Sequence, residues 1–307
     1  MILVAGGLYD TNLTVLLDRL RQRELPHRAI RVGPDGGPSL RIDIAADTLE
    51  VDGELMEPTA MFVRQDVFLY PTPDIAAAHA GASNWYSAVR GWALGRPDIR
   101  LFNRQTSLRE NNKIQNLVAA RKLGLRVPET LVATEVPQGR PAGSWIVKPV
   151  AGGAYTRLLD EVAATERAPY PRFFQPRLER PEMRIYKVDR TLMGFWLTSP
   201  DLDYRKTQSA RLSEAEVPAE LGEKLLELCD TLGLEFAAAD FMADADGALH
   251  FLEVNSQPMF AAFDRVAEGR LADAIIDRLL AVAPARSATS EARWGATASA
   301  SLEYPVP

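Results

Sequence analysis

Apolar positions recur along the chain with two different periods. Residues 2–5 form a continuous apolar run that stops at Gly6-Gly7, which predicts a strand buried on both faces. Leu13, Leu16, Leu17 and Leu20 follow at helical spacing and mark one face of an amphipathic helix. Residues 28–32 and 60–64 predict two more strands, separated by a Gly- and Pro-rich segment at 33–38. A long helix is expected over about residues 74–94, with Trp85, Val89 and Trp92 on one stripe, and a further strand at 99–103. Strand–helix alternation of this kind predicts a small open α/β domain. Gly6-Gly7 is not the GxGxxG dinucleotide pattern, so no cofactor is assigned to it.

Ser107 and Glu110 have capping-box spacing ahead of a helix that contains Ile114, Leu117 and Val118 and that Gly124 closes. Residues 145–150 read as a strand that runs into a glycine-rich loop at Gly152-Gly153. Strands are expected at 172–175, 183–188 and 191–197, with Asp189-Arg190 as the tight turn between the last two. Helices are expected at 221–232 and 271–282. From Pro284 onward Ala, Ser and Thr dominate without a period, and residues 286–307 are expected to lack a stable fold of their own. There is no internal repeat.

Residues 236–242 and 248–254 read as short buried strands joined through Asp244-Ala245-Asp246-Gly247. Asp-Gly favours a hairpin turn, because both central residues must tolerate positive φ. With Asp246 and Gly247 as the turn, Ala245 pairs with Ala248 and Asp240 faces Glu253. Asn255 then lies on the same face, and His250 on the opposite one; a four-residue turn would shift the pairing by two and leave Asp240, Glu253 and Asn255 on that face. Like charges opposed in a sheet repel, and an unpaired carboxylate near a core costs more. A divalent cation with oxygen ligands removes both problems. An ordinary solvated sheet end carrying two acids is the alternative. If a cation is what reconciles the pair, neutralising Glu253 is expected to leave the metal-free protein no less stable.

Composition limits the class. The chain has 307 residues, 47% apolar and 25% charged, which suits a soluble globular protein of two domains, or of one domain with a lobed core. The net charge of −6 disfavours a general nucleic-acid binder. The single cysteine, Cys229, lies among leucines at helical spacing and reads as a packed core thiol. His27, His79 and His250 are scattered and do not suggest a zinc site. No apolar run reaches 18 residues and no basic segment opens the chain, so a cytoplasmic location and no membrane partner are expected.

Several segments fall in an order that resembles the ATP-grasp ligases. Asp240 followed by Glu253-Val254-Asn255 is similar to the family's metal motif, and Phe251 to Pro258 with Gly269-Arg270-Leu271-Ala272-Asp273 resembles the ribosomal-protein glutamate ligase branch. Asn112-Lys113, the run 123–130, Phe174-Gln175 and Arg184 resemble ATP-grasp enzymes that cyclise ribosomal peptides. The resemblance runs from about residue 100 to 282. It implies an ATP-grasp fold of α/β and α+β lobes. A pre-ATP-grasp α/β domain at 1–103 would precede a lid subdomain at 104–178, a C-terminal subdomain at 179–285 and a tail at 286–307.

The same resemblance implies ATP with Mg²⁺ or Mn²⁺ as cofactors and gives the residues roles. Lys113 and Lys148 would contact nucleotide phosphates, with Gly152 and Gly153 in a lid loop over them. Gln175, Arg177 and Leu178 would form the adenine hinge; Pro176 has no N–H and cannot be its donor. Glu182 and Arg184 resemble an acid-x-Arg pair at the triphosphate, and Arg205 an arginine at the acyl-phosphate or acceptor. Asp240, Glu253 and Asn255 would hold the metal. Each lysine and arginine also suits an ordinary surface position.

The implied activity is ATP-dependent joining of a peptide or amino-acid-like carboxylate to an amine through an acyl-phosphate. A ribosomal peptide maturase forming side-chain ester or amide crosslinks is one alternative, although Ser256-Gln257-Pro258-Met259-Phe260 departs from the usual Pro-Asn-Gly-Gln-Trp continuation. A nucleotide-binding scaffold without catalysis is another. A small-molecule or peptide substrate is expected; homo-oligomerisation is compatible with the sequence but not specified by it.

Overall fold

A computed structural model describes residues 1–65, 72–105, 111–151, 155–162, 167–200 and 210–281. The first part of the chain gives β1 (Ile2–Gly7), α1 (Thr11–Gln22), β2 (His27–Val32), β3 (Leu40–Asp43), β4 (Thr48–Val51), β5 (Glu54–Leu55), β6 (Ala60–Val63), α2 (Ile75–Gly95) and β7 (Arg100–Leu101). Strands β2-β1-β6-β7 form a parallel sheet. Its side chains alternate: Ile2, Val4, Ala60 and Phe62 enter one core, whereas Leu3, Ala5, Met61 and Val63 enter another with α2. That double burial explains the unbroken apolar run at 2–5. The sheet β3-β4-β5 was not anticipated, because polar residues interrupt its short strands.

The middle of the chain supplies α3 (Lys113–Lys122), β8 (Leu131–Glu135), β9 (Trp145–Pro149), β10 (Arg157–Leu158) and β11 (Arg167–Pro176). Strands β10-β9-β11-β8 form an antiparallel sheet. Asn112, not Ser107, is the N-cap of α3; its side chain accepts from the Ile114 and Gln115 amides at 2.9 and 3.3 Å. Ser107 and Glu110 lie outside the described residues.

The last part contains β12 (Glu179–Val188), β13 (Thr191–Thr198), β14 (Arg211–Ala215), α4 (Ala219–Thr231), β15 (Phe236–Ala243), β16 (Leu249–Asn255), α5 (Ala261–Val266) and α6 (Arg270–Leu280). Five strands pair as β14-β13-β12-β15-β16. Asp189 takes φ 53° in the tight turn between β12 and β13, which Val188 and Thr191 close. One face of this sheet packs Met183, Ile185, Ala237, Ala239 and Phe241 against α3 and α4. The other packs Tyr186, Phe195 and Phe236 against α1, α5, α6 and the first sheet. Cys229 is fully buried in the former core, as its leucine neighbours required.

The hairpin turn is longer than Asp-Gly alone predicts. The Asp244 N–H donates to Ala248 O at 3.0 Å, and Gly247 takes φ 80°, so three residues form the loop. That loop by itself would set Asp240 opposite Leu252. A β-bulge intervenes: Phe241 pairs with Phe251 but Asp240 pairs with Glu253, leaving Leu252 unmatched. The expected Asp240–Glu253 pairing thus arises from a different turn plus a compensating bulge. The bulge also corrects the placement of His250. It pairs with Met242, which shares the Asp240 face, and its Nε2 lies 2.8 Å from the Asp244 carboxylate.

Candidate functional site

Arg184 on β12, Asp240 on β15 and Glu253 on β16 are successive cross-strand partners and form a charged row across one sheet face. Asn255 lies on the same face, opposite Ala238. Arg184 binds Asp240 with both prongs of its fork, Nε to Oδ1 at 2.6 Å and Nη2 to Oδ2 at 2.9 Å. Glu182 Oε1 is 3.7 Å from Arg184 Nη2. The Phe263 ring lies under the guanidinium with its centre 5.2 Å away.

Glu253 is an end-of-sheet residue, because β16 is an edge strand. That edge is covered, not open: Asn111 Nδ2 donates to Val254 O at 2.7 Å and the Phe251 N–H to Arg126 O at 2.8 Å. The first bond seats the start of α3 beside β16, and the second holds the segment that follows the helix. Lys113, its first helical residue, reaches over the edge to Glu253 Oε2 at 2.7 Å. Asn255 Nδ2 donates to Glu253 Oε1 at 3.2 Å and to Asp240 Oδ2 at 3.5 Å.

Lys148 on β9 faces Phe173, with Nζ 5.9 Å from the ring centre. Burial pushes its pKa down; Glu253 opposes that shift and Lys113 adds to it. Burial also pushes Glu253 up, yet the charge and hydrogen bond of Lys113, with Lys148 and Asn255, outweigh it and hold its carboxyl at about 2. Burial raises Asp240 against the Arg184 pair, and the Glu253 charge adds to the rise.

This geometry corrects the electrostatic argument for a cation. The opposed carboxylates are not unpaired: Arg184 and Lys113 already neutralise them. The case for a metal rests instead on donor type. Two carboxylates and an amide are hard oxygen donors, which suit Mg²⁺ when phosphates complete its shell. Among the described residues no group of three or more His, Cys, Asp or Glu side chains is arranged to hold a metal alone. The residues fit a cation shared with a nucleotide; they do not form a closed protein cage. Asn255 now presents its N–H₂ to both acids, so its amide must turn over to offer oxygen.

The segment expected to form the adenine hinge is partly engaged. The Arg177 N–H donates to Ser144 O at 2.8 Å, so it is not the free donor of an adenine hinge, and the Arg177 side chain is exposed. Leu178 is the N–H that remains for that role. Gln175 is buried on the same face of its sheet as Lys148, and its Nε2 donates to Thr130 Oγ1 at 2.8 Å, leaving Oε1 to accept. Gly152, Gly153 and Arg205 lie outside the described residues.

A second polar network escaped the sequence. Asp10, fully buried, accepts from the Asn12 N–H and from Arg64 Nε at 2.9 and 2.8 Å, and Arg64 Nη1 donates to Pro258 O at 2.9 Å. Asn12 Oδ1 accepts from the Phe260 and Ala261 amides at 2.6 and 2.8 Å. Asn103 Nδ2 donates to Phe236 O and Ser256 O, at 2.7 and 2.8 Å. These bonds fix the loop after Asn255 against the first sheet. The available signal was Asp10-x-Asn12 after a glycine pair, a polar stretch where a helix was about to begin.

No family model matches the chain. The tetrahydromethanopterin:alpha-L-glutamate ligase of Methanocaldococcus jannaschii is 27% identical over 111 residues, which span 35% of this chain and 38% of that protein. The ATP-grasp ligase PsnB, in complex with a minimal precursor, Mg and ADP, superposes with TM-score 0.70 at 26% identity. That match covers 91% of this chain and 97% of PsnB. The macrocyclase MdnC of Microcystis aeruginosa, bound to precursor peptide MdnA, has TM-score 0.68 at 17% identity over 91% of this chain and 99% of its own, a likeness of fold. Across nearly its whole length this chain is similar in architecture to ATP-grasp ligases.

Proposed function

We propose that the chain is an ATP-dependent ligase that activates a carboxylate as an acyl-phosphate and transfers it to a nucleophile, usually an amine. The observation that carries this reading is convergence. Lys113 from α3 and Lys148 from β9 both act on Glu253, at the end of the row Arg184–Asp240–Glu253–Asn255. The helix α3, the strand β9 and the five-stranded sheet thus bring cations and hard oxygen donors to one spot, the arrangement that phosphoryl transfer requires.

In this reading Asp240, Glu253 and Asn255 would hold Mg²⁺, which when bound neutralises phosphate charge. Lys113 is paired with Glu253 in the nucleotide-free protein; it would exchange that carboxylate for a phosphate. Lys148, already partly desolvated, would bind a second phosphate oxygen, and negative charge there favours its protonated form. Arg184 is held by Asp240 with its fork in a fixed orientation and would present its outer edge to the transferring group. Leu178 N–H and Gln175 Oε1 would address the adenine edge. Gly152, Gly153 and Arg205 keep the lid and acyl-phosphate roles that the resemblance implies.

A peptide is the favoured substrate, because PsnB and MdnC, which match nearly the full length, are complexes with precursor peptides. The glutamate ligase match covers about a third of the chain. The test is a reaction with ATP, Mg²⁺ and candidate precursor peptides, read by nucleotide analysis and mass spectrometry. ADP and phosphate should form in step with a peptide that has lost the mass of water. AMP and pyrophosphate would refute the acyl-phosphate step, and a peptide gaining an amino acid would assign the amino-acid ligase reading. Asp240→Asn and Glu253→Gln should each lower turnover by orders of magnitude. Normal turnover in both would remove the metal assignment.

A further inference from the structure

A cavity of about 20 Å³ lies where the first sheet meets the ends of β15 and β16, lined by Arg64, Tyr86, Arg90, Asn103, Ser256 and Gln257 among others. It has room for one or two water-sized groups. A second cavity of the same size, flanked by Trp85 and Val89, shares Val63, Arg64 and Tyr86 with it. The two read as one crevice with a polar end and an apolar flank.

Three side chains at the polar end are more than nine-tenths buried and keep polar atoms without partners among the described residues: Arg64 Nη2, Arg90 Nε and Ser256 Oγ. Two guanidinium groups are set against one described carboxylate. Arg64 is paired with Asp10, whose other oxygen takes the N–H and side-chain amide of Asn12. Arg90 makes no ion pair among the described residues. Its Nη2 donates to Asn103 O at 2.6 Å, and its guanidinium lies 5.9 Å from the Tyr86 ring centre. Arg104 adds a third positive charge nearby and is committed to the carbonyls of Ala93, Leu94, Arg96 and Ile99. A buried guanidinium without a counter-ion is costly, so a cavity lined by one that has none among the described residues, with unpartnered donors on its lining side chains, suits an anion.

We propose that this crevice binds a carboxylate, held by Arg90 and by the unused donors of Arg64 and Ser256, with the apolar flank taking the chain that carries it. It is not the carboxylate that would be activated at the charged row. Phe236 lines the cavity and lies four residues before Asp240 on β15, about 13 Å along the strand. On the ligase reading, on which this last step rests, a substrate would carry an anchoring carboxylate at a distance that a short peptide spans.

The experiment measures binding to the full chain by titration calorimetry at constant ionic strength, without nucleotide or Mg²⁺, so it is independent of turnover. Probes are N-acetyl-L-glutamic acid α-amide, whose only carboxylate is on the side chain, L-alanine, whose only carboxylate is on the main chain, the neutral N-acetyl-L-glutamine amide, and inorganic phosphate. Saturable binding of one or both carboxylates, absent for the neutral amide, supports the site and tells side-chain from main-chain recognition. Arg90→Met should weaken that binding about tenfold or more, the loss expected for a charge-assisted bond, and Arg90→Lys should restore part of it. Ser256→Ala, a minimal change that keeps the fold, should weaken it less but measurably. Equal binding in Arg90→Met and Ser256→Ala, tighter binding of phosphate or of the neutral amide, or no binding of either carboxylate would overturn the proposal. Carboxylate binding that depends on Arg90 in a protein that never turns over ATP would sink the ligase reading and leave this one standing.

Discussion

Glu253→Gln is the substitution for which sequence and structure give opposite answers. From the sequence, two opposed carboxylates should be relieved when one is neutralised, with a gain of a few tenths of a kcal/mol on the cross-strand scale. The structure adds Lys113 at 2.7 Å from Glu253 Oε2, with the two side chains 30% and 23% exposed. The Glu253 carboxyl is held at about 2, against an ordinary 4.5, which corresponds to ~3 kcal/mol before screening. Partial exposure and the coupling to Asp240 reduce that to about 1–2 kcal/mol. Loss of the lysine pair therefore outweighs relief of repulsion, and the variant should be less stable without metal.

The sign of the pH dependence follows. A depressed carboxyl contributes stability above its ordinary pKa, and that contribution disappears as pH falls through the folded value. The gap between wild type and Glu253→Gln should be full at pH 7 and close between about pH 4.5 and 2. Urea unfolding of the nucleotide-free protein at several pH values measures it, with Lys113→Met and the double variant completing a cycle. The expected coupling is about 1–2 kcal/mol. A Glu253→Gln protein as stable as wild type at pH 7, or a coupling near zero, would show that the Lys113 contact contributes nothing in solution.

Asn103→Ala should cost about 2–4 kcal/mol, because four bonds to backbone groups of Glu235, Phe236 and Ser256 are lost in a buried place; an unchanged melting temperature would contradict that role. Burial pushes the Cys229 thiol up to about 12. Its alkylation should therefore wait for unfolding, and the protein should lose stability as pH rises from the ordinary thiol value of 9.0 toward 12, a loss that Cys229→Ala should lessen. Rapid labelling of the native protein would refute this. Truncation after Arg286 should leave folding and ATP binding intact, since the residues removed carry few large apolar side chains beyond Trp294, Leu302 and Tyr304. A large drop in melting temperature would show that the tail packs on the body.

What the sequence disclosed depended on how local each signal was. Leu13, Leu16, Leu17 and Leu20 repeat within one helix, so their buried face was legible without any partner. The strands β3 to β5 and β14 were missed for the converse reason: short, polar and half-exposed, they are defined by the strands they pair with. The charged row sits between these cases. Its identity came from a motif order, but the counter-charges that neutralise it come from Lys113 and Arg184, 140 and 69 positions before Glu253, which no hairpin argument contains.

The bulge makes the same point about register. Counting back from an Asp-Gly turn reached Asp240–Glu253 through two errors of one residue that cancel, one in the loop and one at Leu252. Either alone would turn Glu253 to the face that now buries Phe251 and Val254, because a one-residue slip inverts every side chain beyond it. Phe251 and Val254 stand three apart yet enter one core, and that spacing was visible in the sequence as a break in strand alternation. A period-2 pattern that skips a beat just before two functional side chains is itself the sign of a bulge that aims them. Here it lets one strand bury Phe251 on one side of the break and present Glu253 and Asn255 to the charged row on the other.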